Sequence, residues 1–432
     1  MELKEHGCAC GRDHINPIDK VICGAGVISR LPEVVKEYGA KKAYVISDIN
    51  TFAAAGKRVC EVLGDADIPY LSYKIDEEMP EPNEKTVGSV VMHYSADCDM
   101  IIAVGSGVIN DCGKILAAIS GKPYVIVGTA PSMDGYASPS SSMTRDGLKI
   151  SLNSTNANVI IGDTDVLCKA PMHMLVSGLG DMLAKYVSIC EWRIANIITG
   201  EYYCEEVAEL VRRTLKKCVD NADGLLRRDE AAVEAVFEGL VLSGVAMTYA
   251  GVSRPASGVE HYFSHVWDMR GVEFGYEVEL HGIQCAVGTL IAVRLYEKLK
   301  NITPNKEKAL AYVQSFDYAE WSRFLTEFLG KGAKSMIELE AKEGKYDPEK
   351  HAARLEIILE NWDKIIAIVE EELPSSDEIY TLLERIGAPR ALAEIGVDEA
   401  ILPATFKATK DIRDKYVLSR LCHDLGVIDE II

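Results

Sequence analysis

His261 and His265 stand four positions apart in SGVEHYFSHVWDM, and His281 follows in ELHGIQCAVGTL. On a helix, residues four apart project from one face. Asp181 lies upstream in SGLGDMLAKY, with Lys185 one turn later. A carboxylate and two imidazoles suffice to hold a divalent ion and leave room for a substrate oxygen. Such an ion would polarise an alcohol and ease loss of its proton before hydride leaves carbon. HxxxH alone is a modest signal, because helical histidines at that spacing are often surface or packed residues. The glutamate of the metalloprotease HExxH motif is also missing.

Other stretches suit a phosphate-bearing ligand. Gly105-Ser106-Gly107, followed by Asn110 and Asp111, sits between an apolar strand and a helix. Glycines there admit a phosphate, and the helix dipole favours its charge. The pattern is neither GxGxxG nor a P-loop. Asp48 ends the run AYVIS, where a carboxylate either bonds the ribose hydroxyls of NAD, disfavouring NADP, or simply caps a helix before Thr51. The hydroxyl-rich GTAPSMDGYASPSSSM carries one acid, Asp134, and reads as a ligand-contacting loop or a plain turn-rich connection. Cys8, Cys10 and His14 form one tight cluster, but three ligands at that spacing make a poor structural zinc site, and a small turn is the expectation.

The elements that must position these residues change character along the chain. KKAYVISD, IPYLSYKID, DMIIAVGS and PYVIVGTA read as strands alternating with helical patterns at Thr51 to Gly64, EKTVGSVVMHYSA and VINDCGKILAAIS. That alternation predicts a doubly wound, Rossmann-like parallel sheet. LKISLN and NVIIGD look like two extra strands at its edge. After Pro171 long helical patterns take over. We therefore expect an α/β domain over 1–167 and an all-helical domain over 168–432.

The chain has 432 residues, 48% hydrophobic and 26% charged, which is globular composition and too long for one core. A net charge of −20 opposes nucleic-acid binding. No long uninterrupted apolar run suggests a membrane span. The twelve cysteines are scattered and the first residues lack signal-peptide form, so reduced thiols and a cytoplasmic location are expected.

Taken in order, VGSGVINDCGK, GTAPSMDGYASP, GLGDMLAK, SRPASGVEHYFSHVWDM, HGIQCAVGTL and KDIRDKYVLSRL resemble the superfamily of iron-containing alcohol dehydrogenases, glycerol dehydrogenases and dehydroquinate synthases. Within it they are most similar to the bacterial-type sn-glycerol-1-phosphate dehydrogenase family. The resemblance implies an NAD(P)-binding first domain and a metal- and substrate-binding second one. It implies Asp181, His261 and His281 as ligands of one divalent metal (zinc, nickel or ferrous iron), with His265 beside nicotinamide and substrate. It places cofactor phosphates at Gly105 to Gly107, with serine at 106 where three glycines are usual. Thr129 and Ser132 match cofactor-contacting hydroxyls, and Asp134 matches an acid beside the substrate.

Arg254, in SRPASG, has no counterpart in glycerol dehydrogenases. With Lys185 it implies a phosphorylated three-carbon substrate, although a salt bridge is its plainer role. The expected reaction is reduction of dihydroxyacetone phosphate with NADH or NADPH by a homodimer. The rivals are a polyol dehydrogenase acting on an unphosphorylated substrate, a cyclase like dehydroquinate synthase, and a non-catalytic cofactor-binding protein.

Overall fold

The computed structural model describes residues 6–146 and 148–432. Six strands form one parallel sheet: β1 (Lys20–Gly24), β2 (Ala43–Asp48), β3 (Tyr70–Ile75), β4 (Met100–Gly105), β5 (Tyr124–Gly128) and β8 (Val159–Asp163), in the order β1-β8-β5-β4-β2-β3. Every residue of β2, β4, β5 and β8 is buried. Strands covered on both faces read as continuous apolar runs rather than alternating ones. Helices α1 (Leu31–Glu37), α2 (Lys57–Asp65), α3 (Glu84–Met92) and α4 (Gly107–Ser120) make the crossovers. Leu31, Val35, Val59 and Leu63 share a core with Val45, Ile102, Val125 and Ile161 of the sheet.

Three expectations need correction. Val159–Asp163 is not at the edge but between β1 and β5, as its unbroken burial requires. The other proposed edge strand, β7 (Leu148–Asn153), pairs antiparallel with β6 (Ser140–Arg145) in a separate two-stranded sheet. The true edge strand β1 escaped notice because Lys20 and Val21 are exposed and the run is short. The segment from Thr51 to Gly64 is also not one regular helix, since a π turn at Phe52–Gly56 precedes α2.

The last strand of the sheet ends at Asp163, and α5 (Met172–Thr199), α6 (Glu205–Asp220), α7 (Glu230–Ala250), α8 (Val259–Phe274) and α9 (His281–Leu299) follow. Compactness divides the chain differently. One unit comprises Met1–Met182 and Glu209–Val252, the other Leu183–Ala208 and Ser253–Ile432, so α5 and α6 each run unbroken through the division. The second unit is helical to its end and packs Val266 of α8 with Trp321, Leu325, Leu329 and Met336. Among the described residues, α7 is long and apolar enough to cross a bilayer, but 67% of that stretch is buried, as in a core helix.

Candidate active site

The first unit builds a polar rim at the carboxyl ends of β4 and β5. Ser106 precedes α4 and does not cap it with its side chain; instead its hydroxyl meets that of Ser132 at 2.5 Å. The opening N–H groups of α4 thus keep the anion-attracting character of a helix N-terminus. The Thr129 N–H donates to the Gly105 carbonyl at 3.1 Å, drawing the two strand ends together. Gly105 must be glycine, because a Cβ there would stand 2.5 Å from Ile109.

Asn110 and Asp111 do something other than face a cofactor. Asn110 is fully buried, donates to the Gly135 carbonyl at 3.0 Å and accepts from the Tyr124 hydroxyl at 2.8 Å. Asp111 pairs with Lys114 at 2.8 Å and accepts the Ser142 N–H, although burial holds its carboxyl above the usual range. Both fix the 129–143 loop from beneath. Asp48 is the cap of the helical turn after β2: Oδ1 accepts the Thr51 N–H at 2.7 Å, and the Thr51 hydroxyl accepts in return.

That loop reaches Asp181. The Asp134 N–H donates to Asp181 Oδ2 at 2.9 Å, while the Asp134 carboxylate accepts from Ser243 Oγ at 2.9 Å. Close approach is required here, since a Cβ on Gly178 would lie 1.8 Å from the Pro131 carbonyl oxygen. Asp181 itself is fully buried.

The second unit gathers the histidines. Helix α8 opens at Gly258, where a Cβ would collide with the carboxylates of Glu191 and Glu260. Glu191, reaching over from α5, accepts the Val259 N–H at 2.9 Å and the Leu418 N–H at 2.7 Å. Burial, reinforced by Glu260 nearby, pushes its carboxyl up to about 8. Helices α8 and α9 touch closely: a Cβ on Gly288 would stand 2.7 Å from the Glu260 carbonyl oxygen. That contact brings the rings of His261 and His281 to 5.0 Å between centroids.

Each ring is then held by its Nδ1. His261 Nδ1 lies 2.8 Å from Glu260 Oε1, which also accepts the Gly258 N–H at 2.7 Å. An oxygen already accepting one hydrogen bond calls for a second donor, so the hydrogen sits on Nδ1 and the lone pair on Nε2. His281 Nδ1 meets Ser264 Oγ at 2.9 Å. Metal-ligating histidines are typically oriented by such a partner on the other nitrogen. Cys285, one turn after His281, places its sulfur 3.6 Å from His281 Nε2. Burial works to raise its thiol, yet His261 and His281 bring it below the usual value.

Because α5 is continuous, Asp181 is carried on the helix that also supplies Lys185 and Glu191. Within the second unit, the ligand atoms of His261, His281 and Cys285 all lie within 4.8 Å of one another. Two imidazole nitrogens and a sulfur form a donor set that suits a divalent transition ion. His265 is outside this group; its ring lies 6.1 Å from that of His281, centroid to centroid, and nearly parallel to it. Glu260, Ser264 and Cys285 went unnoticed in the sequence. The signals were there, in a glutamate directly before the first histidine and a cysteine at i+4 from the last.

Arg254 takes up the plainer of its two roles. Its guanidinium forks onto Glu201 at 2.5 and 2.6 Å and donates to the Tyr416 carbonyl at 2.9 Å, and the residue is 3% exposed. Glu201 follows the end of α5, and eighteen residues of helix place Thr199 about 27 Å from Asp181. A guanidinium so engaged does not present its fork to a substrate. Lys185 is fully buried and donates to the Ala256 carbonyl at 3.1 Å.

Comparison with known proteins fits this arrangement. The family described as iron-containing alcohol dehydrogenase matches residues 22–171. A glycerol-1-phosphate dehydrogenase (NAD(P)+) of Halalkalibacterium halodurans is 28% identical over 415 residues, covering 95% of this chain and 94% of the relative. One from Hyperthermus butylicus is 33% identical over 279 residues, covering 64% of this chain and 78% of the relative. Among solved structures, glycerol dehydrogenase from Schizosaccharomyces pombe superposes with a TM-score of 0.63 at 19% identity, covering 97% of this chain and 91% of that one. The last likeness speaks to fold alone.

Proposed function

Since the chain belongs to the glycerol-1-phosphate dehydrogenase family, we propose that it reduces dihydroxyacetone phosphate to sn-glycerol 1-phosphate with NADH or NADPH at a bound divalent metal. The observation that carries this reading is the close pair of imidazoles, each fixed at Nδ1. Asp181, His261 and His281 would hold the metal, and Cys285 adjoins the two histidines. A sulfur in the donor set favours zinc over hard, oxygen-seeking ions.

When bound, the metal supplies Lewis acidity and the nicotinamide supplies hydride. The protein's own groups do the rest. Gly105 to Gly107 and the first turn of α4 receive the cofactor phosphates, with Thr129 and Ser132 beside them. Asp48 reaches the adenosine ribose with the oxygen that its cap leaves over. Asp134 orients the substrate hydroxyl while its N–H steadies Asp181. His265 holds the proton that the product oxygen requires. Lys185 lends positive potential to the substrate phosphate, and Arg254 secures the segment before α8.

The test uses chelator-stripped protein reconstituted with zinc, nickel or ferrous iron. NADH oxidation is followed with dihydroxyacetone phosphate and, in parallel, with dihydroxyacetone. Metal-restored turnover confined to the phosphorylated ketone is expected. Equal turnover of the free ketone would overturn the substrate assignment in favour of a polyol dehydrogenase.

A further inference from the structure

Helix α10 (Ala333–Glu343) ends at Gly344, whose φ of 60° turns the chain into Lys345, and α11 (Pro348–Glu360) follows at once. The turn sits on a hub of guanidinium groups. The Lys345 carbonyl accepts from Arg354 Nη2 of α11 at 3.1 Å and from Arg420 Nη2 of α12 (Leu418–Asp424). Both arginines lean on one carboxylate. Asp424, fully buried, accepts from Arg354 Nε at 2.9 Å and stands 3.7 Å from Arg420 Nε. Two cations thus share one anion.

These groups border a cavity of about 190 Å³ that lies wholly within the second unit. Six basic side chains line it, Lys345, Lys350, Arg354, Lys410, Lys415 and Arg420, in a chain whose net charge is −20. Three of them rest on backbone oxygens alone. Lys345 Nζ donates to the Arg413 carbonyl, Lys350 Nζ to the Glu343 carbonyl and Lys415 Nζ to the Ser257 carbonyl, each at 2.8 Å. Among the described residues none of these three forms a salt bridge. Of the acids at the cavity, Glu201 is taken by Arg254, which leaves Glu343 and Asp414. Arg420 is 4% exposed, and its Nη1 finds no hydrogen-bond partner among the described residues. A buried donor left unpaired is rare and calls for an explanation. Burial also holds the Lys345 and Lys410 ammonium groups below their ordinary pKa, although Asp411 pulls both the other way.

We propose that this cavity binds a small phosphate-bearing anion through Lys345, Lys350 and Arg420, at a site separate from the paired histidines. None of its lining residues belongs to α8 or α9, which carry those histidines. A guanidinium offers a planar fork and ammonium groups offer point charges, a combination that suits the several oxygens of a phosphate. At about 190 Å³ the cavity is smaller than the roughly 300–1,000 Å³ that hold drug-sized ligands, so a compact anion fits better than a nucleotide. The bound phosphate gives Arg420 Nη1 the acceptor it lacks and ties α11 to α12 through the turn at Lys345.

The experiment is calorimetric titration of the metal-loaded full chain with inorganic phosphate and, separately, with glycerol 1-phosphate. Wild-type protein should bind inorganic phosphate. Lys350→Glu, a change at an exposed side chain, should weaken that binding by at least about tenfold, the loss expected for one charged hydrogen bond. KM for dihydroxyacetone phosphate should stay as it was. Arg420→Lys should weaken phosphate binding likewise; if that variant does not fold, Lys350→Glu decides. Within the binding that Lys350→Glu removes, preference for the ester identifies a phosphomonoester as the ligand, and preference for inorganic phosphate identifies the free ion. No phosphate binding by wild type, or equal affinity in Lys350→Glu, would overturn the proposal. A raised KM in Lys350→Glu would overturn it too, by assigning these groups to the substrate. The titration needs no turnover, so its result does not depend on which ketone is reduced.

Discussion

Glu260 Oε1 touches the His261 ring 2.8 Å away, and that carboxylate, not the imidazole alone, sets which nitrogen faces a metal. Replacing such a partner generally weakens metal affinity by on the order of 10–100-fold. Glu260→Gln should therefore lose metal faster to a competing chelator, with the fold intact by circular dichroism; unchanged retention would deny Glu260 that role. Arg254→Met separates the two readings of the arginine. It leaves Glu201, whose side chain is 28% exposed, partly desolvated and unmatched, at a cost of about 1–3 kcal/mol. Urea unfolding should show the loss, with KM for dihydroxyacetone phosphate unchanged; a raised KM at unaltered stability would return Arg254 to the substrate. At this scale the sequence was informative where a motif carries its own chemistry, as in the histidine pair His261 and His281, whose rings the fold brings together. It was silent about partners that only folding supplies. Nothing near SRPASG reveals Glu201 as the anion for Arg254.

Between elements, the geometry depends on close backbone approach. Gly288 lets α9 lie against Glu260, and a methyl group there would have to displace a carbonyl oxygen 2.7 Å away. Gly288→Ala should spread α8 and α9, lower metal affinity and cost about 1–3 kcal/mol of stability through overpacking. Metal titration and thermal unfolding would measure both, and a variant with wild-type metal affinity would show that the helix spacing is not critical. The alternation of strand and helix was legible because period and length differ so clearly between IIAVG and CGKILAAIS. Strand order was not. VIIGD looks the same in an edge strand as in an interior one, and only its placement between β1 and β5 shows which it is. The serine-rich β6 gave no apolar signal because it belongs to a two-stranded ribbon outside the main sheet.

Across the whole molecule, the net charge of −20 conceals local crowding of positive charge. Burial, with Arg254 and Arg413 close by, pushes the Lys415 amine down from 10.5 to about 7. Above pH 7 the folded protein therefore holds this lysine neutral, whereas the unfolded chain keeps it protonated up to 10.5. The unfolded state binds the extra proton in that window, so this group's contribution makes stability rise with pH from 7 towards 10.5. Lys415→Met should flatten that rise in unfolding midpoints; an equally steep profile in the variant would assign it to other groups. The measurement that bears most directly on the catalytic assignment is made on Asp181→Asn. Metal content, NADH binding by fluorescence and dihydroxyacetone phosphate reduction should be determined on one preparation. We expect the metal at this site and the turnover to vanish together while NADH still binds. Full turnover after chelation, in the variant or the wild type, would contradict a metal-dependent dehydrogenase built on Asp181, His261 and His281.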